Sequence, residues 1–189
     1  KITSKKSLVL LLTNLTTFST TGYVATAVLF VGYIFFSNIK KSYKFILSVI
    51  LLVVVYYVGQ LDFMTEKIAE QSADDSTWSR FGAIAYHWNQ ITQSPIIGFG
   101  PFLSNVFGDE LFSPNGLTDL MRYYGIPLSI VFYYLLYRGT KVYVGNSHKG
   151  ANVCVFVSLL LLCFSQTITY SPFFMILYFF AFNTYTYDK

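Results

Sequence analysis

The chain has 189 residues, of which 54% are apolar, 20% aromatic and only 12% charged. An average soluble domain is about 25% charged, so the composition argues against an ordinary soluble domain and for a membrane protein. The formal net charge of +4 comes largely from lysines set between apolar blocks, which reads as anchoring at a membrane and not as a nucleic-acid footprint.

In chain order, Lys1, Lys5 and Lys6 precede a first apolar run over about residues 7–17, diluted by Thr13, Asn14, Thr16 and Thr17. A break at 18–22 (FSTTG) is followed by a second run over about 22–36. Lys40, Lys41 and Lys44 separate it from a third over about 45–60. A polar, acidic loop over 59–115 comes next, then a fourth run over about 114–137. Arg138, Lys141 and Lys149 lead to a fifth over about 151–167, and Ser171-Pro172 opens a sixth. A bilayer core of about 30 Å needs about 20 helical residues, and some of these blocks reach that length only with their polar flanks. Cytoplasmic loops are enriched in Lys and Arg. If every block crosses once, most of the positive charge falls on one face and nearly all the acids on the other. The expected architecture is therefore all-α: a polytopic transmembrane helical bundle, a single membrane domain over 1–189, with 59–115 outside the cytoplasm. The chain starts at Lys1 and not at Met, so it is expected to be the C-terminal part of a longer protein.

The outer loop has internal order. Residues 60–77 are polar. From Trp78 the apolar positions Trp78, Phe81, Ile84, Ala85, Trp88 and Ile91 recur at three- and four-residue steps, which predicts an amphipathic helix. Ser76 or Thr77 can cap it, and Ser94-Pro95 ends it. Gly98, Gly100 and Pro101 prevent another helix from starting at once. This helix is expected to lie at the outer interface, its tryptophans at headgroup depth. Arg80 and His87 are seven residues apart and share a face, with Ala83 between them leaving that face open. A planar arginine fork suits phosphate.

Ser113-Pro114-Asn115-Gly116 reads as a helix start, with Ser as the cap and Pro in the first turn. Asp119 and Arg122 are neighbours on that helix at i, i+3. Ionisable groups at the edge of a span are functional candidates. Asp119 is a candidate base for an acceptor hydroxyl, and Arg80 and Arg122 are candidate ligands for a diphosphate. His87, Asn115 and Trp88 are candidate sugar contacts. No HExxH, CxxC, Walker loop, GxSxG or DxD is present, so neither a metal site nor a cofactor is expected. Cys154 and Cys163 lie within one apolar block and read as small buried side chains.

The segment from Arg80 through SPIIGFGPF and then SPNGLTDLMRYYGIPLSIVF resembles the O-antigen polymerase and O-antigen ligase superfamily of bacterial envelope proteins. The upstream LTNLTTFSTTGYVATAVLF is similar to the family's T-x-S-R-T-G segment entering a span, with Thr20 where many relatives carry arginine. Ligases of the superfamily typically carry a histidine beside the asparagine, and Pro114-Asn115-Gly116 has none, which favours a polymerase. The resemblance implies an inner-membrane, metal-independent glycosyltransferase that joins oligosaccharide repeat units carried on undecaprenyl diphosphate into O-antigen, capsule or exopolysaccharide. It implies the bilayer, the lipid-linked glycan and a chain-length regulator as partners. The alternatives are an O-antigen ligase that transfers polysaccharide to lipid A core and, in another class, a glycan transporter or flippase subunit. A transporter should place ionisable residues at mid-membrane depth, and the apolar blocks carry none.

Overall fold

The computed structural model of the chain describes residues 19–60, 80–100, 115–145 and 150–182, with the isolated positions 9, 13, 62, 65 and 66. The described residues form six α-helices and no strand: α1 (Thr20–Phe36), α2 (Lys41–Gly59), α3 (Arg80–Gln93), α4 (Gly116–Val144), α5 (Ala151–Ser165) and α6 (Pro172–Phe180). Of the first expected crossing, only positions 9 and 13 are described. The other five apolar blocks coincide with α1, α2, α4, α5 and α6.

Local chemistry sets most of the boundaries. The Ser19 hydroxyl accepts from the Gly22 amide at 3.2 Å and caps α1, so the helix starts two residues before the expected point. Ser171 precedes α6 with Pro172 in its first turn, where the missing N–H costs nothing. The start of α4 corrects the sequence expectation. Asn115, not Ser113, is the cap, and its Oδ1 accepts from the Leu117 amide at 3.1 Å and the Thr118 amide at 3.3 Å. Ser113 and Pro114 lie outside the described residues.

Among the described residues, no helix is long and apolar enough to cross a membrane. The apolar blocks seen in the sequence are cut short. α5 has 15 residues and α6 has nine. The lysines Lys41 and Lys44 occupy the first turn of α2, and α4 is broken. Its backbone leaves helical geometry at Gly125 (φ 75, ψ 169), two residues before Pro127. The sequence reading took this stretch as one uninterrupted apolar run.

The break is held by the turn that follows α3. The Phe99 amide donates to the Arg122 carbonyl at 2.9 Å, and the Ile126 amide donates to the Pro95 carbonyl at 2.8 Å. These are backbone groups that an unbroken helix would have satisfied internally. The turn is closed on itself by Gly98 N–H to Ser94 O at 3.0 Å and by Ser94 Oγ to Gly98 O at 2.9 Å. The two backbones approach closely enough that only glycine fits on either side. A Cβ on Gly98 (φ +72) would lie 2.5 Å from the Tyr123 carbonyl oxygen, and one on Gly125 would strike the Ile96 carbonyl.

The helices pack as a bundle. Leu136, Leu159, Cys163, Phe174, Leu177 and Tyr178 form a buried cluster between α4, α5 and α6. α1 lies against α5 through small residues. Ala25 and Gly32 are buried, a Cβ on Gly32 would sit 2.7 Å from that of Cys154, and the Ser158 hydroxyl donates to the Ala25 carbonyl at 3.0 Å. The two ends of the bundle are chemically distinct. Gly150 meets the Phe36 ring, and Lys44 Nζ donates to the Phe35 carbonyl at 3.0 Å. The lysine turn between α1 and α2 therefore sits beside Gly150 at the start of α5. At the other end Gly116 packs on the backbone of Gln166 and Thr167, which places the start of α4 beside the end of α5.

Candidate functional site

The candidate site is built where α3 packs on the first half of α4. The buried face of α3 is mixed in character. Ala83, His87, Gln90 and Ile91 are buried, whereas Ala85, Trp88, Asn89, Thr92 and Gln93 are exposed, Trp88 at 56%. A helix at a water interface turns polar residues out. Here His87 and Gln90 turn in, and Ala83 is small enough to let α4 come close.

The polar groups turned inward meet the charged pair of α4. Arg122 is 1% exposed and Asp119 3%. Arg122 Nε donates to Asp119 Oδ1 at 2.7 Å, as the i, i+3 spacing allows. Arg122 Nη1 donates to Gln90 Oε1 at 3.3 Å, and the guanidinium carbon lies 5.7 Å from the centroid of the Tyr123 ring, within cation–π range. His87 Nδ1 and Thr118 Oγ1 share a hydrogen bond at 2.6 Å. Among the described residues, Gln90 Nε2 is buried with no hydrogen-bond partner. Tyr170, from the α5–α6 connection, closes one side, its ring 6.3 Å from those of both Tyr123 and Tyr124. Burial, and after it the Asp119 carboxylate, push the Tyr170 hydroxyl above its ordinary range. Among the described residues, no three of His, Cys, Asp and Glu come together as a metal site would need.

Of the residues singled out from sequence, Asp119, Arg122 and His87 are brought together. Asn115 is buried beside them, with its side-chain oxygen committed to capping α4. Trp88 projects away from the group. Arg80 is the first residue of α3, and its side chain lies outside the described residues, as do Trp78 and the Phe81 side chain. Sequence reasoning missed Gln90, Thr118 and Tyr170. Gln90 had a usable signal: it is three residues after His87 and so on the same face.

With this geometry in view, the comparison with protein families is decisive. Residues 7–139 match the model of the O-antigen ligase family. The chain belongs to that family. No curated protein and no solved structure matches it. The match to the O-antigen ligase family covers α1 to α3 and nearly all of α4, including His87, Gln90, Asp119 and Arg122, the turn at 94–99 and the break at Gly125. It ends before α5 and Tyr170.

His87 gives this family member a defined acid response. Burial first, and the Arg122 charge second, lower its pKa from 6.5 to about 3. The folded protein thus holds it neutral, while the unfolded chain takes up a proton below about pH 6.5. Stability is unaffected by His87 above that value and falls as pH drops from about 6.5 towards 3, by about 1.4 kcal/mol per pH unit. Thermal unfolding in detergent at pH 7.5 and pH 5 is expected to show this loss, and His87→Asn is expected to flatten the slope without lowering stability further in acid. An unchanged slope in the variant would assign the acid response to other groups.

Proposed function

We propose that the chain is the catalytic part of a membrane-embedded polysaccharide polymerase that joins lipid-linked oligosaccharide repeat units at the outer face of the bacterial inner membrane. The observation that carries the reading is the buried polar contact between α3 and α4, in which Gln90 meets the Asp119–Arg122 pair and His87 meets the adjacent Thr118. Such a cluster of polar and ionised groups is expensive to bury and persists where function needs it.

Embedding in the membrane is supported by the surface. Along α2, Phe45, Ile46, Val49, Ile50, Leu52, Val53, Val54 and Val55 are all exposed, and a contiguous apolar surface of this kind marks an interaction or membrane face. The small-residue α1–α5 contact with its Ser158–Ala25 hydrogen bond is the packing mode of helices in lipid. Short and broken helices are tolerated at membrane depth where protein satisfies their backbone, as the turn at 94–99 does for Gly125. Lysines gathered at one end of the bundle fit a cytoplasmic face there, with the site at the other end.

In the proposed reaction a hydroxyl of one glycan attacks the anomeric carbon of another. The hydroxyl gives up its proton, the new C–O bond forms, and the bond to the polyprenyl diphosphate breaks with its electrons leaving on the phosphate oxygen. Arg122, with Arg80 from the start of α3, stabilises that developing charge. Asp119 accepts the proton. The absence of a histidine beside Asn115 favours polymerisation over transfer to lipid A core. The ligase reading gives a different product, polysaccharide on lipid A core.

Arg80→Lys and Arg122→Lys keep the charge and lose the fork. Each is expected to cut polymer formation at least tenfold, roughly the effect of 1.4 kcal/mol, while protein levels in the membrane hold. Normal polymer length and yield from both variants would sink the shared-site reading.

A further inference from the structure

Gln90 is a residue whose chemistry remains open. Its Oε1 accepts from Arg122, which fixes the amide orientation and leaves Nε2 as a donor. That nitrogen is buried without a partner among the described residues, in a residue 2% exposed. A buried donor left unmade is costly, and folded proteins tolerate few of them. The site could have avoided the cost with a leucine of similar size.

We propose that Gln90 is a ligand-binding residue of this site, its Nε2 donating to an oxygen of the anionic diphosphate group alongside the Arg122 guanidinium. The inference rests on the polymerase reading and adds the residue that reads the donor's phosphate oxygen. The chemistry on the page selects the ligand class. Arg122 is all donors, Gln90 presents only a donor once its oxygen is taken, and both lie in the same α3–α4 interface. A guest there must bring an acceptor, and a charged acceptor makes the stronger bond. Asp119 keeps the guanidinium in place through Nε, so Gln90 and Arg122 meet the ligand as a pre-set pair.

The test uses the full-length protein in nanodiscs and a polyprenyl diphosphate without sugar as probe, its binding measured by displacement of a labelled analogue. Gln90→Leu removes the donor and keeps the volume. It is expected to raise the Kd for the diphosphate lipid by roughly tenfold, the usual worth of a hydrogen bond to a charged group, and to leave binding of the corresponding uncharged polyprenol unchanged. Gln90→Glu is expected to weaken the diphosphate further, because its carboxylate engages Arg122 and repels the guest. Gln90→Leu binding the diphosphate as the wild type does would overturn the assignment to Gln90 and leave the polymerase reading standing, the donor then meeting water alone. Wild-type protein that binds no polyprenyl diphosphate would overturn both. If Gln90→Leu fails to accumulate, Gln90→Met supplies the same comparison, and equal losses for diphosphate and polyprenol would mark Gln90 as a packing residue and defeat the proposal.

Discussion

Replacing Gly125 with alanine is expected to remove most of the folded protein from the membrane, whereas Gly100→Ala is expected to be mild. Both positions have positive φ, 75 and 53 respectively, so a crude rule would treat them alike. The difference lies in what surrounds them. Gly125 combines φ 75 with ψ 169, a region that is nearly glycine-only and costs about 1–3 kcal/mol for other residues. An added Cβ there also meets the Ile96 carbonyl and the Ile97 amide, which belong to the turn that donates and accepts the bridging hydrogen bonds. Relief of the clash would separate the two backbones and leave the Arg122 carbonyl and the Ile126 amide unpaired in a buried place, at a further cost of about 1–3 kcal/mol for each group. Against a total stability of about 5–15 kcal/mol, that sum is severe. No described residue would meet a Cβ on Gly100, and its substitution is expected to carry the left-handed penalty of about 1–2 kcal/mol. Gly98→Ala should fail as Gly125→Ala does, since it is the other side of the same contact. Thermal unfolding of the three variants, together with their yield in membranes, checks the ranking. A Gly125→Ala protein as stable as Gly100→Ala would show that the turn does not clamp the break.

This clamp explains why part of the fold was legible in the sequence and part was not. The two glycine–proline signals, SPIIGFG and RYYGIP, are both visible in the chain; the first reads locally as a stop, and the second is hidden inside an apolar run. What no local rule shows is that each supplies the hydrogen-bond partners the other lacks. The helices of the described residues follow from apolar blocks and breaks, and their ends moved by a few residues as caps competed. Asn115 displaced Ser113 because its side chain reaches two amides at once. On α3 the three- and four-residue periodicity separated Trp88 from His87, but it grouped Ile91 with Trp88, whereas Ile91 is buried with His87 and Gln90. Periodicity does not say which face turns inward. The packing partner decides it: His87 and Gln90 are buried against the polar groups of α4, and Trp88 is exposed. The Asp119–Arg122 pair was legible because i, i+3 geometry is local. Its link to Gln90 spans 32 residues of sequence and required the tertiary contact. Crossing length was the least transferable expectation, since composition measures how apolar a block is and not where its backbone breaks.

The largest separation between structure and catalysis is expected from the Asp119–Arg122 pair. Arg122→Leu removes the cation and leaves the Asp119 carboxylate, 3% exposed, without its 2.7 Å partner. Breaking a buried pair from one side costs about 3–5 kcal/mol, because the remaining charge stays desolvated. Asp119→Leu should cost a similar amount from the other side, moderated by the Gln90 oxygen and the Tyr123 ring that still face Arg122. The double variant Asp119→Leu/Arg122→Leu buries no charge at all, and replacing an entire buried pair by apolar residues is often neutral or better. It is therefore expected to recover most of the stability lost by either single change, with a coupling energy larger than the about 0.5–3 kcal/mol usual for residues in contact. If the pair serves only to hold α3 on α4, recovery of folding should bring recovery of polymer. In the proposed reaction it cannot, because the proton acceptor and the diphosphate ligand are both gone. The expected result is a double variant that unfolds at nearly the wild-type temperature and forms no polymer. Polymer from that variant would return the pair to a purely structural role, and a double variant no more stable than the singles would show that the two charges are not each other's main partners.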